Sequence, residues 1–181
     1  MGMTIDGIHY QITEPRPFST DYSSHKFGGK ACLDYEFGIY THKPQLAWIN
    51  GPIPSGTPDI NVFKSKLWHA IRAKQATRSN TFRAIADDGY MSKELQDVLV
   101  FRNEMDPPEL AYFKDRALAR HETFNGMTKR YACMTKLFHH DRGQNPERKH
   151  PRHKTCLEAI CVTIQVELNL GVETLLDPYP T

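Results

Sequence analysis

Apolar residues Leu33, Tyr35, Phe37 and Ile39 alternate with Asp34, Glu36 and Gly38. A period of two belongs to a strand, whose side chains point in turn to opposite faces. Leu46–Asn50 reads as the returning strand, and residues 41–45 between them make a hairpin with a five-residue loop. Upstream, residues 3–12 read as a first strand, interrupted near Asp6-Gly7. Residues 14–31 form a connector rich in Pro, Ser, Gly and charge. Residues 51–58 hold three prolines and two glycines and are expected to form no regular element.

Beyond that stretch the period lengthens. Val62, Phe63, Lys66, Leu67 and Ile71 form a helical stripe from Asp59, read as an N-cap, to about Ala73. Phe82–Asp87 predicts a short strand, Gly89-Tyr90 a turn, and Ser92 the start of a short helix with Leu95, Val98 and Leu99. Pro107-Pro108 opens a longer helix whose apolar positions run from Leu110 to Phe138 at spacings of 3, 4, 7, 3, 4, 3 and 4. A polar basic loop follows over 139–153, then a last apolar helix over 155–170 that Gly171 stops. The predicted class is α/β: a mixed sheet, made of a three-strand antiparallel meander and a parallel strand reached by a right-handed crossover, flanked by helices.

The 181 residues suit one domain, taken as 1–170, with a C-terminal tail over 171–181. No stretch approaches the roughly 18 apolar residues of a spanning helix, and the first residues lack a signal peptide's pattern. The four cysteines form no CxxC pair, so each is expected to be a small buried hydrophobe in a reduced protein. Net charge is only +2, but residues 114–154 hold 11 Lys/Arg against 4 Asp/Glu, a local +7, and the remainder carries −5. That asymmetry suits either a polyanion partner or a solvated helix face followed by a basic loop.

Acidic residues stand where chemistry is plausible. Asp6 and the pair Asp87-Asp88 each follow an apolar run and precede glycine; Glu122 lies within the basic helix. Carboxylates at the ends of adjacent parallel strands face the crevice where α/β sheets bind ligands. Gathered there they repel one another unless a hard cation such as Mg²⁺ neutralises them. Each also has a plainer reading: turn residues for the aspartates, a surface helix charge for Glu122.

Taken together these segments resemble the catalytic domain of PIF/Harbinger-type transposases, in the DDE superfamily of endonucleases. Ile5-Asp6-Gly7-Ile8-His9 matches that family's D-G-x-H strand, and Gly56–Phe63 resembles its G-x-x-D-x-x-x-F segment. Ala86–Tyr90 matches its D-x-G-Y, and Glu122–Lys129 its E-x-x-x-G-x-x-K helix, with Asp87 and Glu122 35 positions apart. The resemblance spans roughly residues 3–170. It implies an RNase H-like fold and a triad of Asp6, Asp87 and Glu122 that holds Mg²⁺ or Mn²⁺ and hydrolyses or transfers DNA phosphodiesters in the nucleus. On that reading Lys129, Arg130, Arg142, Arg148, Lys149, Arg152 and Lys154 contact DNA, with Lys26 near the cleft. It further implies a separate Myb-like DNA-binding partner. The family's upstream DNA-binding region is expected to be absent from this chain, and His121 stands where a small apolar residue usually precedes the glutamate. The alternative is a silent transposase-derived domain acting as a DNA-binding or protein-interaction scaffold, or a decayed fragment.

Overall fold

The computed structural model describes residues 2–17, 19–77, 82–138 and 150–175. Three nine-residue strands, β1 (Met3–Gln11), β2 (Cys32–Tyr40) and β3 (Leu46–Pro54), form an antiparallel meander. β4 (Ala84–Ile85) joins the other side of β1 in parallel, and β5 (Leu99–Val100) joins β4 in parallel. The sheet order is β3-β2-β1-β4-β5, a mixed α/β arrangement of RNase H-like type. The helices are α1 (Asp59–Ser65), α2 (Leu67–Thr77), α3 (Pro108–Lys129), α4 (Ala132–Thr135) and α5 (Pro151–Asn169).

Alternation along β1 decides which helix covers which face. Met3 and Ile5 belong to an apolar cluster with Phe63, Leu67 and Ile71 of α1 and α2. Ile8 and Tyr10 belong to a second cluster, with Phe124 and Met127 of α3 and Leu157 and Ile164 of α5. Odd positions of β1 therefore face α1 and α2, and Thr4, Asp6, Ile8 and Tyr10 face α3. β2 lies between β1 and β3 and is covered on both sides, so Cys32–Ile39 is buried without a break. Asp34 and Glu36, the polar half of its alternation, are 1% and 0% exposed.

Several predicted boundaries move, each for a tertiary reason. β1 is not interrupted at Asp6-Gly7: Gly7 pairs with Glu36, and its N–H donates to Asp6 Oδ1 at 2.8 Å. β3 continues through Ile53-Pro54, because an edge strand tolerates a proline without a ladder donor. The helix expected over 59–73 is two helices broken at Lys66, whose Nζ donates to Asn50 Oδ1 at 3.0 Å. The helix expected at Leu95–Leu99 is one 3₁₀ turn, Lys93–Leu95, after which Leu99 enters β5. The long helix ends at Lys129, since the chain must reach the sheet: Phe138 O accepts from Thr13 N–H at 2.8 Å. α5 starts at Pro151, so Arg152, His153 and Lys154 lie in a helix rather than a loop. Cys133 is exposed, whereas Cys32 and Cys161 are buried as expected.

The contact of α3 with the sheet centres on Phe124, fully buried and edge-to-face with Phe37 at 5.5 Å between centroids. Phe124→Ala is expected to cost about 3–5 kcal/mol, the usual range for a buried aromatic truncation. Urea unfolding followed by circular dichroism measures it; a loss under about 1 kcal/mol would mean that α3 is not anchored there.

Candidate functional site

The β1–β4 register pairs Met3 with Ala84 and Thr4 with Ile85. The same offset carried two residues forward sets Asp87 level with Asp6. Asp6 lies within β1 rather than at its end, and Asp87 stands one residue past β4, before the 3₁₀ turn Asp88–Tyr90. Glu122 comes from α3, exposed on its rim. The three predicted acids line one cleft of about 170 Å³ with Asp88, Arg102, Leu118 and His121. Asp88, which the resemblance leaves out of the triad, lines the cleft too. Of the neighbours Asp87 and Asp88, Asp87 is the one whose charge raises the Asp6 carboxyl.

Asp6 is held tightly. Its Oδ1 accepts the Gly7 N–H, and its Oδ2 accepts from Asn125 Nδ2 of α3 at 2.8 Å. Burial first, and then the charge of Asp87, pushes its carboxyl up to about 6. His121 does not enter the site as a cation. It is 1% exposed, its Nδ1 is 2.9 Å from Thr4 Oγ1, and burial pushes it down to about 3. It is a neutral tie between α3 and β1, which explains why a histidine is tolerated beside Glu122. Arg102 at the cleft wall is paired with Asp115 at 2.6 Å.

A second groove, of about 470 Å³, adjoins the first and shares Asp6 and Glu122 with it. Its other walls include Lys26, Lys129, His9 and Asn125. Lys26 and Lys129 thus share a groove with Asp6 and Glu122. The rest of the predicted basic surface is thinner than the charge count suggests. Lys114 is buried against Asp106 at 2.6 Å, and Arg120 is buried donating to the carbonyls of Tyr40 and Thr41. Arg130 pairs with Glu173, and Lys154 stands 3.7 Å from Glu158 on the next turn of α5. Arg152 is exposed on the first turn of α5. Arg142, Arg148 and Lys149 lie outside the described residues.

On the opposite face of β1, His9, Asp34 and Asp59 bring three ligand atoms within 4.8 Å of one another, a group able to hold a metal ion. Asp59 is not the N-cap expected of it. Pro58 occupies that position without a side-chain bond, and Asp59 is the first helical residue of α1. The Asp59 carboxylate instead lies against two glycines: a Cβ on Gly7 would meet its Oδ1 at 3.1 Å, and one on Gly89 would meet its Oδ2 at 3.2 Å. Either substitution would press on this carboxylate. Asp34 was readable only as a polar strand position, although burial of both faces of a central strand gives a physical cue to its importance.

Burial pushes Asp34 up to about 7, with help from the charge of Asp59, and pushes Glu36 up to about 8 against the bond from Trp48 Nε1. His9 moves the other way, to about 4, through burial and then the charges of Lys26 and Lys129. Comparison of the chain with protein-family models, curated proteins and solved structures gives no match.

These shifts fix the pH dependence of the metal-free chain. A carboxyl raised on folding binds more protons in the folded state, so its contribution falls as pH rises from the unfolded value through the folded one. His9 and His121, both lowered, work in the opposite sense, but only up to about 6.5, where an unfolded histidine titrates. Between about 6.5 and 8 Asp34 and Glu36 therefore dominate, and stability in EDTA should fall across that window. Thermal unfolding measured in pH steps tests this, and Asp34→Asn should flatten the decline. A rising midpoint would refute the assignment.

Proposed function

We propose that this chain is a metal-dependent DNA endonuclease domain of the PIF/Harbinger transposase type, with Asp6, Asp87 and Glu122 as its metal-holding triad. The observation that carries the reading is that those three residues, from β1, the segment after β4 and α3, line a single cleft. The donor set fits Mg²⁺ or Mn²⁺, being all carboxylate oxygen. Burial and Asp87 hold the Asp6 carboxyl well above the usual carboxylate range, and a bound cation would relieve that repulsion. Bound there, divalent metal supplies Lewis acidity to a phosphoryl group and lowers the pKa of a bound water.

The chain's own residues do the rest. Asn125 and the Gly7 amide orient both oxygens of Asp6. His121 stays neutral, so it places no competing positive charge beside Glu122. Lys26 and Lys129 stand along the adjoining groove, where they would bind backbone phosphates without reading sequence. Arg130, Arg152 and Lys154 are assigned to DNA phosphates in the same reading, and Arg142, Arg148 and Lys149 join them on sequence alone. A nuclear location and a separate Myb-like partner that supplies target recognition belong to the same reading.

Asp87→Asn and Glu122→Gln are each expected to lower Mg²⁺-dependent nicking of supercoiled plasmid by at least about 10³-fold, equivalent to about 4 kcal/mol of lost transition-state stabilisation. Asp88→Asn should retain most of the activity. Nicking that survives Asp87→Asn and is lost in Asp88→Asn would transfer the second ligand to Asp88. A parent chain that binds DNA but never nicks it with Mg²⁺ or Mn²⁺ would support the scaffold reading instead.

Phosphate contacts are tested by salt. Affinity for duplex DNA should fall with salt at a log–log slope of roughly 0.9 per phosphate neutralised. Lys26→Ala with Lys129→Ala should then reduce that slope by about 1.8 and weaken binding to all sequences alike. An unchanged slope in fluorescence-anisotropy titrations would remove both lysines from the DNA surface.

A further inference from the structure

We propose that His9, Asp34 and Asp59 form a second metal site, on the α1–α2 face of β1, which takes a zinc-class divalent ion and is distinct from the carboxylate triad. The site goes beyond the nuclease reading and does not depend on it. Its three ligand atoms already lie within 4.8 Å of one another. The independent observation is Asp34 Oδ1, which is buried in a side chain 1% exposed and has no hydrogen-bond partner among the described residues. Such groups are rare in folded proteins because desolvation without a partner is costly. His9 Nε2 stands 3.8 Å from it, too far for a hydrogen bond. That spacing is close to the roughly 3.4 Å between two ligands of a tetrahedral zinc ion with bonds of about 2.1 Å.

The surroundings are arranged as they are around a metal-bound imidazole. His9 Nδ1 is 2.7 Å from Ser24 Oγ, itself fully buried, which fixes the ring and leaves Nε2 aimed at Asp34. Gly7 lies beneath both carboxylates: a Cβ there would stand 3.1 Å from Asp59 Oδ1 and 3.4 Å from Asp34 Oδ1. Its absence leaves the space between them open. One imidazole nitrogen with two carboxylate oxygens suits Zn²⁺ and its neighbours, whereas Mg²⁺ prefers oxygen ligands and retains waters. Three protein ligands leave a position for water. Asp59 also joins the two sites, since its Oδ2 stands 3.2 Å from the Gly89 Cβ position, the same distance as Asp87 Oδ1.

The test is Zn²⁺ uptake by the full chain in excess Mg²⁺, measured by isothermal titration calorimetry and by the thermal midpoint. Cys133 and Cys156 are changed to Ser throughout, because their sulfurs, 3.5 Å apart, would bind zinc on their own. The parent is expected to take one Zn²⁺ and to unfold at a higher temperature with it. His9→Gln and Asp34→Asn should each weaken uptake by at least about tenfold. Glu122→Gln, on α3, should leave zinc uptake within about threefold while removing any Mg²⁺-dependent nicking, so the two proposals fail separately. Asp34→Asn relieves carboxylate crowding, so the metal-free variant should unfold no earlier than the parent; its loss of zinc then is not a loss of fold. Zinc uptake that is absent in the parent, or unchanged in His9→Gln and Asp34→Asn, overturns the site.

Discussion

Asp6, Asp34, Glu36, Asp59 and Asp87 lie close enough around Gly7 to act on one another electrostatically, and keeping charge in that small volume is the constraint on which everything else turns. Burial and mutual repulsion both favour the protonated forms. Lys26 is the cation whose field reaches Asp6, Asp34 and Asp59, yet it is an exposed side chain. An interior that accumulates carboxylates against so little positive charge loses stability through them unless protons or cations neutralise the excess. The two apolar layers, packed on either side of the sheet, supply the stability that tolerates this arrangement.

The backbone makes the crowding possible by thinning where the acids meet. Gly7 and Gly89 carry no side chain, so Asp59 of α1 can approach β1 on one side and the turn after β4 on the other. On the α3 face of β1, Thr4, Asp6 and Tyr10 meet His121, Asn125 and Thr128 of α3. One strand thus presents polar contacts to both layers, within a sheet whose remaining inward positions are mostly apolar.

Much of this was legible in the sequence. The meander and the parallel return came from periods of two and 3.6, because alternation and helical spacing directly reflect which faces are buried. The motifs single out Asp6, Asp87 and Glu122, and these three line one cleft. Asp34 does not read as a ligand candidate, and Asp59 reads as a helix cap ahead of a ligand. Asp34 looked like the outward half of an alternating strand, and nothing local says that β2 is central and covered twice. Asp59 looked like a helix cap, since a cap and a helix-start carboxylate aimed at the sheet have the same sequence signature. β5 was missed because two residues leave no measurable period, and α3 was overextended because its stripe continues past the point where Phe138 is drawn to β1. The charge count overstated the basic surface, as it could not distinguish the buried Lys114 and Arg120 from solvated side chains.

β4 has a consequence for how the cleft is lost. It and β5 contribute two residues each, against nine for each strand of the meander. Asp87 hangs directly from this short pair, tied to β5 through Ala84 N–H to Val98 O and Ala86 N–H to Val100 O. Local opening free energy scales with the contacts given up, so this edge can detach at a cost well below global unfolding. Amide exchange at Ala84 and Ala86 would then run ahead of exchange in the meander, with Asp6 still held on its strand. Order at the cleft and stability of the fold are separate quantities here, and a chain that melts late can still lose the placement of Asp87 beside Asp6 first.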